Sequence, residues 1–224
     1  MKHLSQFIFS PIGSKIIMAL AGTMIFLFLI GHVLGNLLIF NGSDSLNTYA
    51  HWLQNNPLLW VFRLTMLGLL SLHIFIALRL YIQNKYARPI SYQVDKDIQL
   101  GFSEKTMIVS GLLIFIFIIF HIGHLTLGWL PTTSLAIDNN IKMVNVYENI
   151  VNGFQVSWVA LFYIVSMLII GLHLHHSLKS LFQTLGFHNH NLHWLVYRLT
   201  PIMIAVLVLA FISIPAAVLM GWIQ

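Results

Sequence analysis

The stretch at residues 16–40, IIMALAGTMIFLFLIGHVLGNLLIF, decides how the rest of the chain is read. It runs 25 residues without a charge, yet it carries a histidine, His32. A helix needs about 20 apolar residues, at ~1.5 Å rise each, to cross ~30 Å of hydrocarbon. The run exceeds the roughly 7–15 residues of a secretory h-region, and no small-residue cleavage site follows, so it reads as a retained transmembrane span. Four more segments meet the same criterion, at approximately 58–82, 106–130, 156–181 and 198–222. The sequence therefore predicts an all-α, polytopic membrane protein, with residues 1–224 as a single five-span domain.

Composition agrees. Of 224 residues, 58% are hydrophobic and 8% charged, where a soluble domain carries about 25% charged residues. There is no cysteine, which excludes disulfides, thiolate catalysis, iron–sulfur ligation by this chain and c-type haem attachment. The net charge of +5 fits loops facing anionic lipid better than a nucleic-acid surface. The third loop, PTTSLAIDNNIKMVNVYENIVNG, is partly periodic and predicts a short interfacial helix.

Basic residues orient the chain. Lys2, Lys15, Arg79, Lys85, Arg88, Lys96, Lys105, Lys179 and Arg198 fall on one side, which is nine of eleven; Arg63 and Lys142 fall on the other. Such a bias places the N-terminus in the cytoplasm and the C-terminus outside.

Four spans hold histidines far from any loop, and intramembrane ionisable residues mark function more often than not. Basic residues at the cytoplasmic edge serve as rulers. His32 lies ~26 Å above Lys15 and His121 ~24 Å above Lys105, whereas His73 and His173 lie only ~9 Å from Arg79 and Lys179. The four histidines thus form two pairs of matched depth, ~15 Å apart, on four different helices. Two bis-histidine b haems stacked in a bundle of the first four spans account for the count, the pairing and the missing cysteine. Zinc accounts for it less well: two distant pairs make no tetrahedral site, and all six acids lie outside the spans or at their edges.

The segments LIGHVLGNLLIF, SLHIFIALRLY, IIFHIGHLTLGW and GLHLHHSLKSLFQTLG carry these histidines. They resemble the haem-binding helices of the di-haem cytochrome b subunit of succinate dehydrogenases and fumarate reductases. GSKIIMALAGTMIFLFLIGH and FISIPAAVLMGW are similar too, so the likeness covers almost the whole chain. The resemblance implies a bacterial inner-membrane anchor for a flavoprotein and an iron–sulfur subunit, with two haem b groups and a quinone site, usually for menaquinone. It implies His32 with His121 on an outer haem and His73 with His173 on an inner one, and no dicarboxylate chemistry in this chain. One position departs: a glutamate found two residues before the fourth ligand in some fumarate reductases is Gly171 here. That substitution predicts the absence of a compensating proton path.

Further candidates surround these four. His124 and His176 follow a ligand by three residues on nearly the same helix face. With Ser177, Lys179, Lys15 and Arg79 they are candidates to hold haem propionates. His175, ~200° around the helix from His173, points elsewhere. Asn47, Tyr49, His51 and Trp52, in NTYAHWLQ, offer the donors and aromatic surface a quinone head would use. His188, His190 and His193, in FHNHNLH, fit a docking or headgroup-facing segment better than a metal tract. Two other readings stand beside this one: the cytochrome b anchor of a hydrogenase or formate dehydrogenase, and a histidine-rich metal or proton transporter.

Overall fold

The computed structural model describes residues 6–7, 10–87, 106–130, 135–138, 141–184, 186 and 190–224. Helix α1 (Pro11–Asn36) starts where Ser10 Oγ accepts a hydrogen bond from the Gly13 amide at 3.0 Å, with proline at the first turn. Both devices are expected at a helix N-terminus. A 3₁₀ turn, Leu37–Asn41, extends α1 to Gly42, whose φ of +97° reverses the chain. Helix α2 (Ser43–Gln54) follows, with Asp44 in its first turn complementing the helix dipole. Helix α3 spans Leu58–Tyr86 and α4 spans Met107–Leu125.

The third span is shorter than the apolar run suggests. Gly128, at φ +65°, lets the Leu127 and Trp129 amides cap the carbonyls of Ile122 and Gly123, and the Trp129 ring folds onto Gly123 where a Cβ would not fit. A two-stranded antiparallel hairpin comes next, Leu135–Asp138 with Ile141–Val144. Helix α5 (Val146–Gln155) is the expected short helix, capped by Asn145. An extended Val156 turns the chain directly into α6 (Ser157–Thr184), and α7 covers His190–Leu219.

Five of these helices are long and apolar enough to cross a membrane, over Pro11–Asn41, Leu58–Tyr86, Met107–Leu125, Ser157–Thr184 and Val196–Leu219. Leu27, Leu64, Leu112 and Leu209 each stand more than half exposed on them. In water such a surface would aggregate; in a bilayer it is the required outer face. The chain is a multi-pass, helical membrane protein whose one described hairpin lies between spans.

Helix α6 is the packing centre, burying Val159, Ala160, Tyr163, Met167, Ile170, Leu174 and Leu178 between α4 and α7. Helix α3 packs along α1 and makes no comparable contact with another span. The bundle is therefore two helical pairs, α1 with α3 and α4 with α6, with α7 closing the second. At one end of the bundle α2 and α5 form a cap. Asn47 Nδ2 donates to Asn145 Oδ1 (3.0 Å), its Oδ1 accepts from the Tyr147 amide (3.0 Å), and the Tyr147 hydroxyl donates to the Gln224 carbonyl (3.3 Å).

Candidate functional site: histidines at two levels

Both helical pairs place a histidine against a glycine of the neighbouring helix. On α3, His73 lies beside Gly22 of α1, where an added Cβ would stand 3.4 Å from the ring. On α6, His173 lies beside Gly111 of α4, where it would stand 3.6 Å away. His32 comes ten residues after Gly22, and His121 ten residues after Gly111. The two pairs thus share one register, and each sets its second histidine ~15 Å from the first along the helix. The levels read from the basic residues are independently present in the packing.

At the outer level the rings of His32 and His121 have centroids 5.9 Å apart and planes at 87°. Two imidazoles on opposite sides of one metal, at bonds of about 2 Å, hold their ring centres roughly 6 Å apart. Phe28 stacks on His32 at 5.2 Å and Phe211 flanks it at 6.0 Å, giving the pair an apolar wall.

Hydrogen bonds decide which ring nitrogen each histidine can offer. The Met18 carbonyl can only accept, so its 3.4 Å contact with His73 Nδ1 puts the proton there. The Ser110 hydroxyl donates to the Met107 carbonyl at 2.9 Å and therefore accepts from His173 Nδ1 at 3.1 Å. In both rings the lone pair is left on Nε2, the nitrogen that reaches furthest from the helix. Anchoring Nδ1 in this way is how proteins orient metal-bound imidazoles. His121 Nδ1 lies 3.3 Å from the Tyr163 hydroxyl. All four rings remain partly accessible. The ring spacing and apolar wall of His32 and His121, and the Nδ1-anchored tautomers of His73 and His173, are each compatible with bis-histidine ligation of a haem.

His124 sits differently. It is 3% exposed, its Nδ1 contacts the Tyr163 hydroxyl at 3.0 Å, and its Nε2 faces Gly153 of α5 with no hydrogen-bond partner. At the inner end, Arg79 Nη1 donates to Ser14 Oγ at 3.4 Å and Lys15 is exposed. The Ser177 hydroxyl donates to the His173 carbonyl at 2.8 Å, and Lys179 lies 4.5 Å above the Tyr197 ring. His175 and His176 are half-buried.

The outer candidates separate. Asn47 is committed to the cap, while Tyr49 packs under Gly35 and stacks on Trp52 at 6.3 Å. His51 hydrogen-bonds the Asn55 amide and shares an open depression with Thr48, Trp52, Asn56 and Pro57. A Cβ on Gly171 would come within 2.9 Å of Val208 Cγ2 on α7, so that position faces the fifth span. Lys2, Arg88, Lys96, Lys105 and His188 lie outside the described residues, and only the backbone is described for His190, His193 and Lys142. Among the described residues no group of three or more His, Cys, Asp or Glu side chains gathers to hold a metal ion.

These features define a polytopic helical membrane protein with paired intramembrane histidines at two depths. No protein family, curated protein or solved structure matches the chain.

Proposed function

We propose that the chain is the di-haem cytochrome b anchor of a succinate:quinone oxidoreductase, a succinate dehydrogenase or fumarate reductase. It passes electrons between an iron–sulfur subunit on the cytoplasmic face and quinone, menaquinone by the resemblance, within the bilayer. The observation that carries this reading is the pair of histidine levels, with the Nδ1 atoms of His73 and His173 tied back so that each Nε2 is presented. Haem b supplies a reversible one-electron iron couple when bound.

The remaining work belongs to the chain. His32 and His121 hold the outer haem, and His73 and His173 the inner one. Arg79, Lys15, His176, Ser177 and Lys179 are the donors assigned to the inner-haem propionates on this reading. His51 and Trp52, in the open depression at the outer cap, are the residues best placed to meet a quinone head. The positive-inside bias supports a cytoplasmic N-terminus in a bacterial inner membrane. Gly171, packed on α7, supplies no carboxylate for a relay beside His173, so on this reading electron transfer across the membrane responds directly to its potential.

The test is affinity purification of the intact complex from its native membrane. Co-purification of a flavoprotein and an iron–sulfur subunit, with succinate-reducible b haem, is the expected result. Recovery of a hydrogenase or formate dehydrogenase partner instead would replace this reading.

A further inference from the structure

The Tyr163 hydroxyl contacts both His121 and His124. It lies 3.3 Å from the Nδ1 of the first and 3.0 Å from the Nδ1 of the second. Its ring is held from three sides: Phe154 edge-on at 4.9 Å, Phe117 edge-on at 5.2 Å and Phe120 at 6.1 Å. Tyr163 itself is 6% exposed. Nothing in that wall competes for the hydroxyl, and a hydroxyl has one proton to give.

That single proton makes the arrangement directional. If His121 binds iron through Nε2, its Nδ1 carries hydrogen and must donate to the tyrosine oxygen. Tyr163 then has only His124 Nδ1 left to donate to. His124 is consequently the Nε2–H tautomer, and that buried N–H, beside Gly153, has no hydrogen-bond partner among the described residues. A hydroxyl that is itself donating is a stronger acceptor, because hydrogen bonds in a chain polarise one another. The effect is to push electron density onto the His121 ring. The other three ligands are backed differently: His73 by a backbone carbonyl, His173 by a serine whose proton goes to Met107, and His32 by the face of Phe28.

We infer that Tyr163, charged by His124, is a positioning residue for the outer haem. It fixes the His121 tautomer and ring plane, and by enriching the ligand it favours the oxidised iron and lowers the potential of that haem alone. This rests on the di-haem reading above. His124 thereby acts through Tyr163 on the ligand that stands one helical turn away.

The test is a redox titration of the full-length chain purified with its haem, wild type beside Tyr163→Phe, followed in the visible spectrum and by low-temperature electron paramagnetic resonance. Removing the acceptor should raise the potential of one haem and leave the other in place. A loss of roughly three- to tenfold in the preference for the oxidised form is expected, the tenfold limit being ~59 mV for one electron. The resonance of the same haem should change as its ring is freed to turn. His124→Phe, which keeps the ring volume but strips the hydroxyl of its acceptor, should move that haem in the same direction by less. Should Tyr163→Phe lose the outer haem, the His124→Phe potential carries the test. Two unchanged potentials in the variants would overturn the inference and leave the di-haem reading standing. A wild-type chain without b-type absorption would overturn both.

Discussion

Position 171 offers a quantitative test of how α6 and α7 fit, and of whether a carboxylate could act there. A Cβ at Gly171 would stand 2.9 Å from Val208 Cγ2 and 3.7 Å from Ile204 Cγ2. Replacing Gly171 by Ala gains about 1 kcal/mol of helix propensity. Against this stands about 1–3 kcal/mol of overpacking, so the single variant should fall within about 2 kcal/mol below wild type. Val208→Ala leaves a gap and costs on the order of 1–2 kcal/mol. In the double variant the alanine occupies the space the valine left, the clash is gone and the propensity gain remains. The cycle should thus show favourable coupling of about 2 kcal/mol, well above the ~0.5 kcal/mol expected of independent sites. Reversible denaturation of the haem-loaded chain in mixed detergent micelles, followed by circular dichroism, measures all four corners. Additivity within that margin would refute the close contact. Gly171→Glu adds a charge at mid-membrane, costing about 2.5–3.5 kcal/mol on insertion scales. It should loosen α7 without creating a proton path, read as turnover in liposomes that keeps its full dependence on membrane potential.

The remaining expectations concern the cap and the inner level. Asn47→Ala removes two hydrogen bonds and orphans the Tyr147 amide, so it should cost about 2–4 kcal/mol in the same denaturation assay while leaving the haem content at wild-type level. Unchanged stability would show that the cap is not clamped there. Ser110→Ala deprives His173 Nδ1 of its acceptor; the inner haem should bind about 10–100-fold more weakly, as loss of an outer-shell partner usually brings, measured by haem retention on dilution. Equal retention in wild type and variant would mean that Ser110 does not orient the ring. The perpendicular planes of His32 and His121 predict a strongly anisotropic low-spin ferric signal for the outer haem, and a rhombic signal typical of parallel rings would contradict that geometry.

Much of the transmembrane plan was legible because lipid enforces it: an uncharged run of spanning length has few other fates. The histidine levels were legible for the same reason, since basic residues mark the membrane edge and the helical rise is constant. What is not legible depends on side chains meeting across helices. Helix α2 is hidden in the hydropathy because NGSDSLNTYAHWLQ is polar, though Leu46, Tyr49, Ala50 and Leu53 trace one helical face and only Leu46 ends fully buried. In the third loop the periodicity predicts the short helix but not the hairpin. The strands are four residues each, and Asn139–Asn140 between them was the available turn signal. Tyr163 is legible by the same ruler as the four histidines: it precedes His173 by ten residues, which puts a hydroxyl ~15 Å above it, at the level of His121. Equally visible, once sought, was a glycine ten residues before a histidine in both α1 and α4.

The central claim is that the two histidine levels each hold one haem. It is tested most directly by the pyridine haemochrome of the purified full-length chain, with His32→Leu and His73→Leu beside it. The account predicts two b haems per chain, one in each variant, and loss of spectrally different haems from the two. Fewer than two haems in the wild-type chain, or loss of the same haem from both variants, would contradict it.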